Sequence, residues 1–230
     1  MKQRSTKSLS TLPVLTLAAA ILPVAAQAQL TIYEVHAMGS SSSTYAKDWF
    51  ELRNDGPLAL NITGWKVDDS TALFSSALTL RGVTSIDPGQ AVIFIEGVAN
   101  GSTDATLSAA FQTAWFGSSV PSGFTLGFYG GSGIGLSASG DAVNIYDSSG
   151  ALQAGVTFGA ATNGISFDNA AGLSGLISQL STVGVNGAFN SVTGSEIGSP
   201  GIASVPEPAT LALAGVGLAA LWSFRRRNQK

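Results

Sequence analysis

The groups in this chain most able to do chemistry are its carboxylates. Asp68-Asp69-Ser70 closes an extended segment, and Asp141 sits in a Gly-Asp turn. Loop carboxylates suit calcium, which takes about 6–8 oxygen ligands. No Asp-x-Asp-x-Asp-Gly run or glycine–aspartate repeat accompanies them. The expected role is therefore turn formation and solubility, with Asp68, Asp69 and Asp141 as the candidate ligands if calcium is used. Asp48 and Glu51 lie three apart on one extended segment, so their side chains point to opposite faces. Glycoside hydrolysis needs two carboxylates flanking one bond, and an acid-only hydrolase would have to draw on Asp68 and Asp141 across loops.

Other chemistries fare worse. His36 is the one histidine and lies near Ser40–Ser43, but no Gly-x-Ser-x-Gly elbow occurs in a strand-turn-helix setting. A structural or surface role is expected for it. The run GGSGIGLSASG (130–140) has Gly-x-Gly spacings without the following helix that would hold a pyrophosphate. There is no cysteine, which excludes zinc-thiolate, iron–sulfur and thiol-nucleophile chemistry. With a single histidine, a histidine-rich metal site is excluded as well.

The two ends of the 230-residue chain look like addresses. Lys2, Arg4 and Lys7 precede an apolar run from Leu12 to Ala26, which leads into Ala26-Gln27-Ala28. A basic start, a short apolar stretch and a small-x-small site describe a secretory signal peptide over residues 1–28, cut after Ala28. At the other end Val205-Pro206-Glu207-Pro208 precedes 16 uncharged, mostly apolar residues (209–224) and Arg225-Arg226-Arg227. Of the 11 Lys and Arg, three lie in the first segment and four in the last. That leaves four against all 14 acids, a net charge of −10 between residues 29 and 208. Phosphate backbones need clustered basic residues, so nucleic acid is not an expected partner.

Between the ends, short extended segments alternate with turns. LTIYEV (30–35), DWFELRN (48–54), LALNITGWKVDD (58–69), SIDPGQAVIFIEG (85–97), GDAVNIYDSSG (140–150) and ALQAGVTFG (151–159) read as strands, the last two as a hairpin. Phe50 and Leu52 face one way, and Trp49, Glu51 and Arg53 the other. Leu58, Leu60 and Ile62 keep the same period of two. ATLSAAFQTAWFG (105–117) predicts one short helix stopped by Gly117. Residues 162–201 are rich in Gly, Ser and Asn, yet carry Phe167, Leu173, Leu176, Ile177, Leu180, Val183, Val185 and Phe189. Part of that stretch should pack on the body. The fold class expected is all-β, a sandwich over residues 29–201 with a core of Ile32, Phe50, Leu52, Trp65, Val92, Phe94, Val143 and Ile145.

In family terms the body resembles the lamin tail domain, an immunoglobulin-like β-sandwich. The resemblance rests on IYEVHAMGS, DWFELRNDGPLALNITGWKVDDS, IDPGQAVIFIEG, GDAVNIYDSSG and a closing GSPG (198–201), in that order. Residues 98–135 are longer and richer in glycine than that pattern requires. The tail resembles a PEP-CTERM sorting signal, which exosortase-type peptidases of Gram-negative bacteria recognise. Pro206 and Pro208 keep the recognition peptide extended. As a helix, residues 209–224 reach roughly 24 Å, short of the ~30 Å bilayer core, and the arginines hold the C-terminus in the cytoplasm. Asn61-Ile62-Thr63 and Asn100-Gly101-Ser102 fit the N-glycan sequon, which the bacterial tail makes irrelevant.

These readings combine into one expectation. The chain is exported and held in the inner membrane through residues 202–208, the helix 209–224 and the tail 225–230. It is then cut by an exosortase-type peptidase and delivered to the cell surface or polysaccharide matrix. The body acts without catalysis or cofactor, as a spacer or adhesive domain contacting polysaccharide through exposed Trp49, Tyr45 or Tyr129. The alternatives are a carboxylate-based hydrolase of matrix polysaccharide and a calcium-stabilised structural protein. With a charge of −10 the body should not shift duplex DNA in a gel at ~150 mM salt. Micromolar binding there would contradict this reading.

Overall fold

The computed structural model describes residues 30–38, 43–130 and 134–202. The predicted signal peptide, the sorting motif, the apolar segment 209–224 and the terminal arginines lie outside the described residues. Elements run β1 (Leu30–His36), β2 (Trp49–Asn54), β3 (Leu60–Asn61), β4 (Lys66–Asp68), β5 (Leu78–Thr79), β6 (Ser85–Ile86), β7 (Ala91–Glu96) and α1 (Asp104–Phe116). They continue with β8 (Leu126–Tyr129), β9 (Asp141–Tyr146), β10 (Leu152–Phe158), β11 (Phe167–Asp168), β12 (Gly175–Ile177), β13 (Phe189–Asn190) and β14 (Ile197–Gly198). Two five-stranded sheets, in the orders β11-β1-β2-β7-β8 and β12-β10-β9-β4-β5, face each other.

Period-two alternation builds the space between the sheets. Phe50 and Leu52 from β2, Val92 and Phe94 from β7, and Val143 and Ile145 from β9 all point inward. Together with Ile32 and Trp65 they belong to one buried cluster, as the alternation predicts. The first turn is set by Asn54. Its Oδ1 accepts the Gly56 amide at 3.0 Å, while its Nδ2 donates to the carbonyls of Leu58 (2.7 Å) and Ile86 (2.9 Å). Gly64 adopts φ +78°, and Trp65 follows it into the core. β9 and β10 form the expected hairpin, whose turn is held by the Asp147 carboxylate accepting the Ser149 and Ala151 amides.

The alternation does not hold everywhere. Leu58 is 55 % exposed, because β3 is only two residues long and pairs with the short β6 outside the main sheets. Trp49, Glu51 and Arg53, expected to face outward, are buried along with the rest of β2. For Trp49 the cause is the segment that exceeded the family pattern, whereas Glu51 meets the Gly201 amide and Arg53 lies over the Tyr33 ring at 4.2 Å. β7 and β8 pair in parallel, and a parallel pair needs a long crossover. The crossover is α1, within a residue of the predicted helix. It lays Phe111, Ala114, Trp115 and Phe116 over the outer face of the first sheet.

The stretch 162–201 packs only in part. β11 and β12 extend one edge of each sheet, taking Phe167 and Ile177 into the core. Leu173, Leu176, Val183 and Val185 stay exposed. Among the described residues no helix is long and apolar enough to cross a membrane. Asn54→Ala would leave two carbonyls and an amide without their partners. It should cost about 2–4 kcal/mol, measurable by urea unfolding of the body.

Candidate functional site

The outer face of the first sheet carries the buried polar chemistry of the molecule. A register shift between Ile32 and Glu34 lets Ile32 and Val35 both point inward and turns Glu34 outward, directly across from Glu51. Both carboxylates are buried. Their donors come from the C-terminal stretch. Glu34 accepts the Ser166 hydroxyl, the Ser199 amide (2.9 Å) and the Ser199 hydroxyl (2.9 Å), while Glu51 Oε2 accepts the Gly201 amide at 2.6 Å. Gly198 leaves no room for a side chain, since a Cβ there would sit 2.6 Å from Glu34 Oε1 and 3.1 Å from the Trp115 ring. Burial pushes Glu34 up to about 7, against the pull of the Ser166 and Ser199 hydrogen bonds. Burial, and then the charge of Glu34, raise Glu51 well above the carboxylate range. These adjacent acids titrate as a pair.

Beside this pair lies an aromatic cluster under α1. Tyr45 donates to Glu196 Oε1 (2.8 Å) and accepts from Trp115 Nε1 (2.9 Å) and Trp49 Nε1 (3.3 Å). His36 stacks on Trp49 with ring centroids 5.2 Å apart, and its Nε2 lies 3.7 Å from Glu196 Oε1. That separation is beyond hydrogen-bond reach. Burial lowers His36 to about 4, offset only in part by the backbone of His36 and Gly164, so the imidazole is neutral at pH 7. His36 is buried, so of the two placements expected of it the surface one does not hold. Ser43 is buried, and Ser40–Ser42 lie outside the described residues. All three aromatics expected at the surface are buried instead. Trp49 and Tyr45 are covered by α1, and Tyr129 is sealed in the sandwich against Phe50.

The loop carboxylates are occupied locally. Asp68 accepts the Thr71 hydroxyl (2.7 Å) and the Leu73 amide (2.6 Å), and Asp69 accepts the Thr71 amide (2.8 Å). Asp141 accepts the Ser70 and Ala142 amides at 2.9 Å and the Ser137 amide at 2.7 Å, tying two loops together. Among the described residues no three His, Asp or Glu side chains are grouped so as to hold a metal ion. Asp48 accepts the Leu136 amide at 3.2 Å, away from the contacts of Glu51, and burial with the nearby Glu96 pushes it up to about 7. A groove of about 470 Å³ is lined by Asp168, Asn169, Leu173, Leu176, Gln179 and Asn186 among others.

Glu34, Ser166 and Ser199 did not stand out in the sequence. The one available signal was an acid inside a strand of otherwise β-branched and aromatic residues. The signal-cleavage residues Ala26 and Ala28, the motif Val205-Pro206-Glu207-Pro208 and Arg225–Arg227 lie outside the described residues. The last described residue, Ile202, stands three before Val205.

Mostly β sheets with one short helix, the body is consistent with an immunoglobulin-like all-β fold. Residues 23–160, more than half of the chain, match the Lamin Tail Domain, and the chain belongs to that family. Residues 204–227 match the PEP-CTERM protein-sorting motif. This motif marks the chain as an exosortase substrate, exported and sorted to the surface in Gram-negative bacteria. No curated protein matches the chain. The domain match ends after β10, so the Ser166, Ser199 and Gly201 donors lie beyond it.

The buried acids set a pH dependence. Glu34, Glu51 and Asp48 are raised in the fold, so each adds stability that is complete at low pH. For Glu34 and Asp48 that stability is lost as pH climbs from the ordinary carboxylate value near 4 towards 7, and for Glu51 it is lost as pH rises above the ordinary carboxylate value. His36 works the other way between about 4 and 6.5. Three groups against one should lower the melting temperature between pH 5 and pH 8, by roughly 5 °C if the net loss is about 2 kcal/mol. Glu34→Gln should flatten that fall and His36→Gln should steepen it, as read by scanning calorimetry.

Proposed function

We propose that this protein is a non-catalytic surface module. Its body is exported, held at the inner membrane by the tail, released by exosortase-type cleavage near Pro206-Glu207-Pro208, and left at the cell surface or in the polysaccharide matrix. The observation that carries the reading is the sorting motif three residues after a folded body in which Glu34, Asp68 and Asp141 accept that body's own amides and hydroxyls. Asp68 and Asp141 are each occupied by amides or hydroxyls of the neighbouring loops, which favours a structural role over hydrolysis. The calcium alternative has the same carboxylates as its ligands and predicts a higher melting temperature in millimolar Ca²⁺. The spacer reading predicts none. With Tyr45, Trp49 and Tyr129 buried, contact with polysaccharide passes to the groove where Asp168, Asn169, Gln179 and Asn186 stand beside Leu173, Leu176 and Val185.

The tail supplies the direct test. Glu207 costs roughly 2.5 kcal/mol or more inside hydrocarbon, so it marks the outer boundary of the span. Replacing Pro206-Glu207-Pro208 with three alanines removes the extended site, and the protein should stay full length in the membrane fraction. Replacing Arg225–Arg227 with neutral residues should let the tail slip through and release unprocessed protein. Wild-type processing of both variants, read by intact mass of the cell-surface and membrane fractions, would reduce the tail to a plain anchor.

A further inference from the structure

The last fixed point of the body and the first residue of the sorting motif are very close along the chain. Ser199 and Gly201 are tied by their amides to the buried Glu34 and Glu51. Gly201 is further confined by Phe124, which a Cβ at Gly201 would meet at 2.6 Å, and its φ of +71° is one that glycine tolerates. Only Ile202, Ala203, Ser204 and Val205 separate this anchor from Pro206. Six residue steps from Gly201 to Glu207 span at most about 20 Å even when fully extended. Glu207 stands at the hydrocarbon boundary in the proposed arrangement, and the headgroup layer above it is roughly 5–8 Å thick. The exit point therefore stands within about 15 Å of the headgroup surface, while a body of this size is about 40 Å across. So short a tether does not let the body turn a different face to the membrane.

The surface around the exit is suited to that position. It is formed by the turn Pro121–Phe124, the C-terminal end of α1 and the segment 182–192. Phe124 touches Gly201, Ile202 touches Gly187 at 3.1 Å, and Val192 touches Gly117 at 3.5 Å, each measured to the glycine's Cβ position. Residues 105–140 and 169–195 contain no charged side chain. Val120, Val183, Val185, Val192 and Ile202 are exposed, with Val192 at 66 %. Asp168 borders the segment 182–192, but it is 8 % exposed and its carboxylate accepts from Asn186 Nδ2 at 2.7 Å. The other acids of the body lie outside these segments, which keeps most of its negative charge away from anionic lipid.

We infer that this uncharged face, centred on the chain exit at Gly201–Ile202, rests on the outer leaflet of the inner membrane while the tail is still attached. The lipid surface is its partner. The inference rests on the tail reading above, and the two can fail separately. Because the chain lacks cysteine, single labels are unambiguous. Ser122→Cys, Val185→Cys and Val192→Cys would carry an environment-sensitive dye on the exit face. Ser75→Cys would carry it on the exposed turn between β4 and β5, strands of the second sheet. The full-length protein is reconstituted in vesicles of phosphatidylethanolamine and phosphatidylglycerol containing headgroup-spin-labelled lipid. Contact at the interface should quench the three exit-face labels about threefold more than the label at residue 75. Val185→Asp with Val192→Asp should roughly halve the quenching at residue 122. Equal quenching at all four sites in protein that floats with the vesicles would overturn the inference, as would quenching highest at residue 75. An unchanged signal in the double aspartate variant would also overturn it, because the apolar residues would then make no contact. Protein that does not float with the vesicles would overturn the tail reading and this inference together.

Discussion

The first sheet has no wet face, and the rest of the molecule is arranged around that fact. One side meets the second sheet through Phe50, Leu52, Val92 and Phe94, as in any sandwich. The other side is dry because β7 and β8 run parallel, and the helix that joins them must cross that face. Trp49, Ile93 and Ile95 then find apolar partners in Phe111, Trp115 and Phe116. Glu34 and Glu51 find themselves adjacent and without water.

Two neighbouring carboxylates in such a place are costly unless they are protonated or supplied with donors. The fold does both. Burial raises their proton affinity, and the segment from Ser166 to Gly201 brings hydroxyls and amides to them. The C-terminal stretch is thus bound to the body through polar contacts, although it contributes few apolar ones. This explains how a segment so rich in glycine and serine can be ordered up to the edge of the sorting motif. It also fixes the chain at Ser199 and Gly201, a few residues before that motif.

The loop acids follow a different economy. Asp68, Asp69, Asp141 and Asp147 each accept nearby amides or hydroxyls and shape the turns at the ends of the second sheet. In a chain without disulfides, these turns and the core between the sheets carry the stability of the body. The acidic surplus of the domain is therefore partly structural and partly a solvated surface, and the segments nearest the exit contain none of it.

Local chemistry decided much of this from the residues alone. Period-two alternation identified the inward set of β2, β7 and β9, because side chains on a strand alternate whatever surrounds them. The Asn54-Asp55-Gly56 turn and the helix stopped at Gly117 were legible for the same local reason. The tail was legible as a sorting motif because Pro-Glu-Pro, an apolar run and three arginines follow one another along the chain. What lay on the far side of each strand was decided only by the tertiary structure. Trp49 and Tyr45 have the composition of surface aromatics, and nothing nearby in sequence announces a helix laid across them. Glu34 and Glu51 become a pair through a bulge at Tyr33, and their donors come from residues more than 130 positions later. Alternation states that two faces differ, and only the packing of distant segments determines which of them meet water.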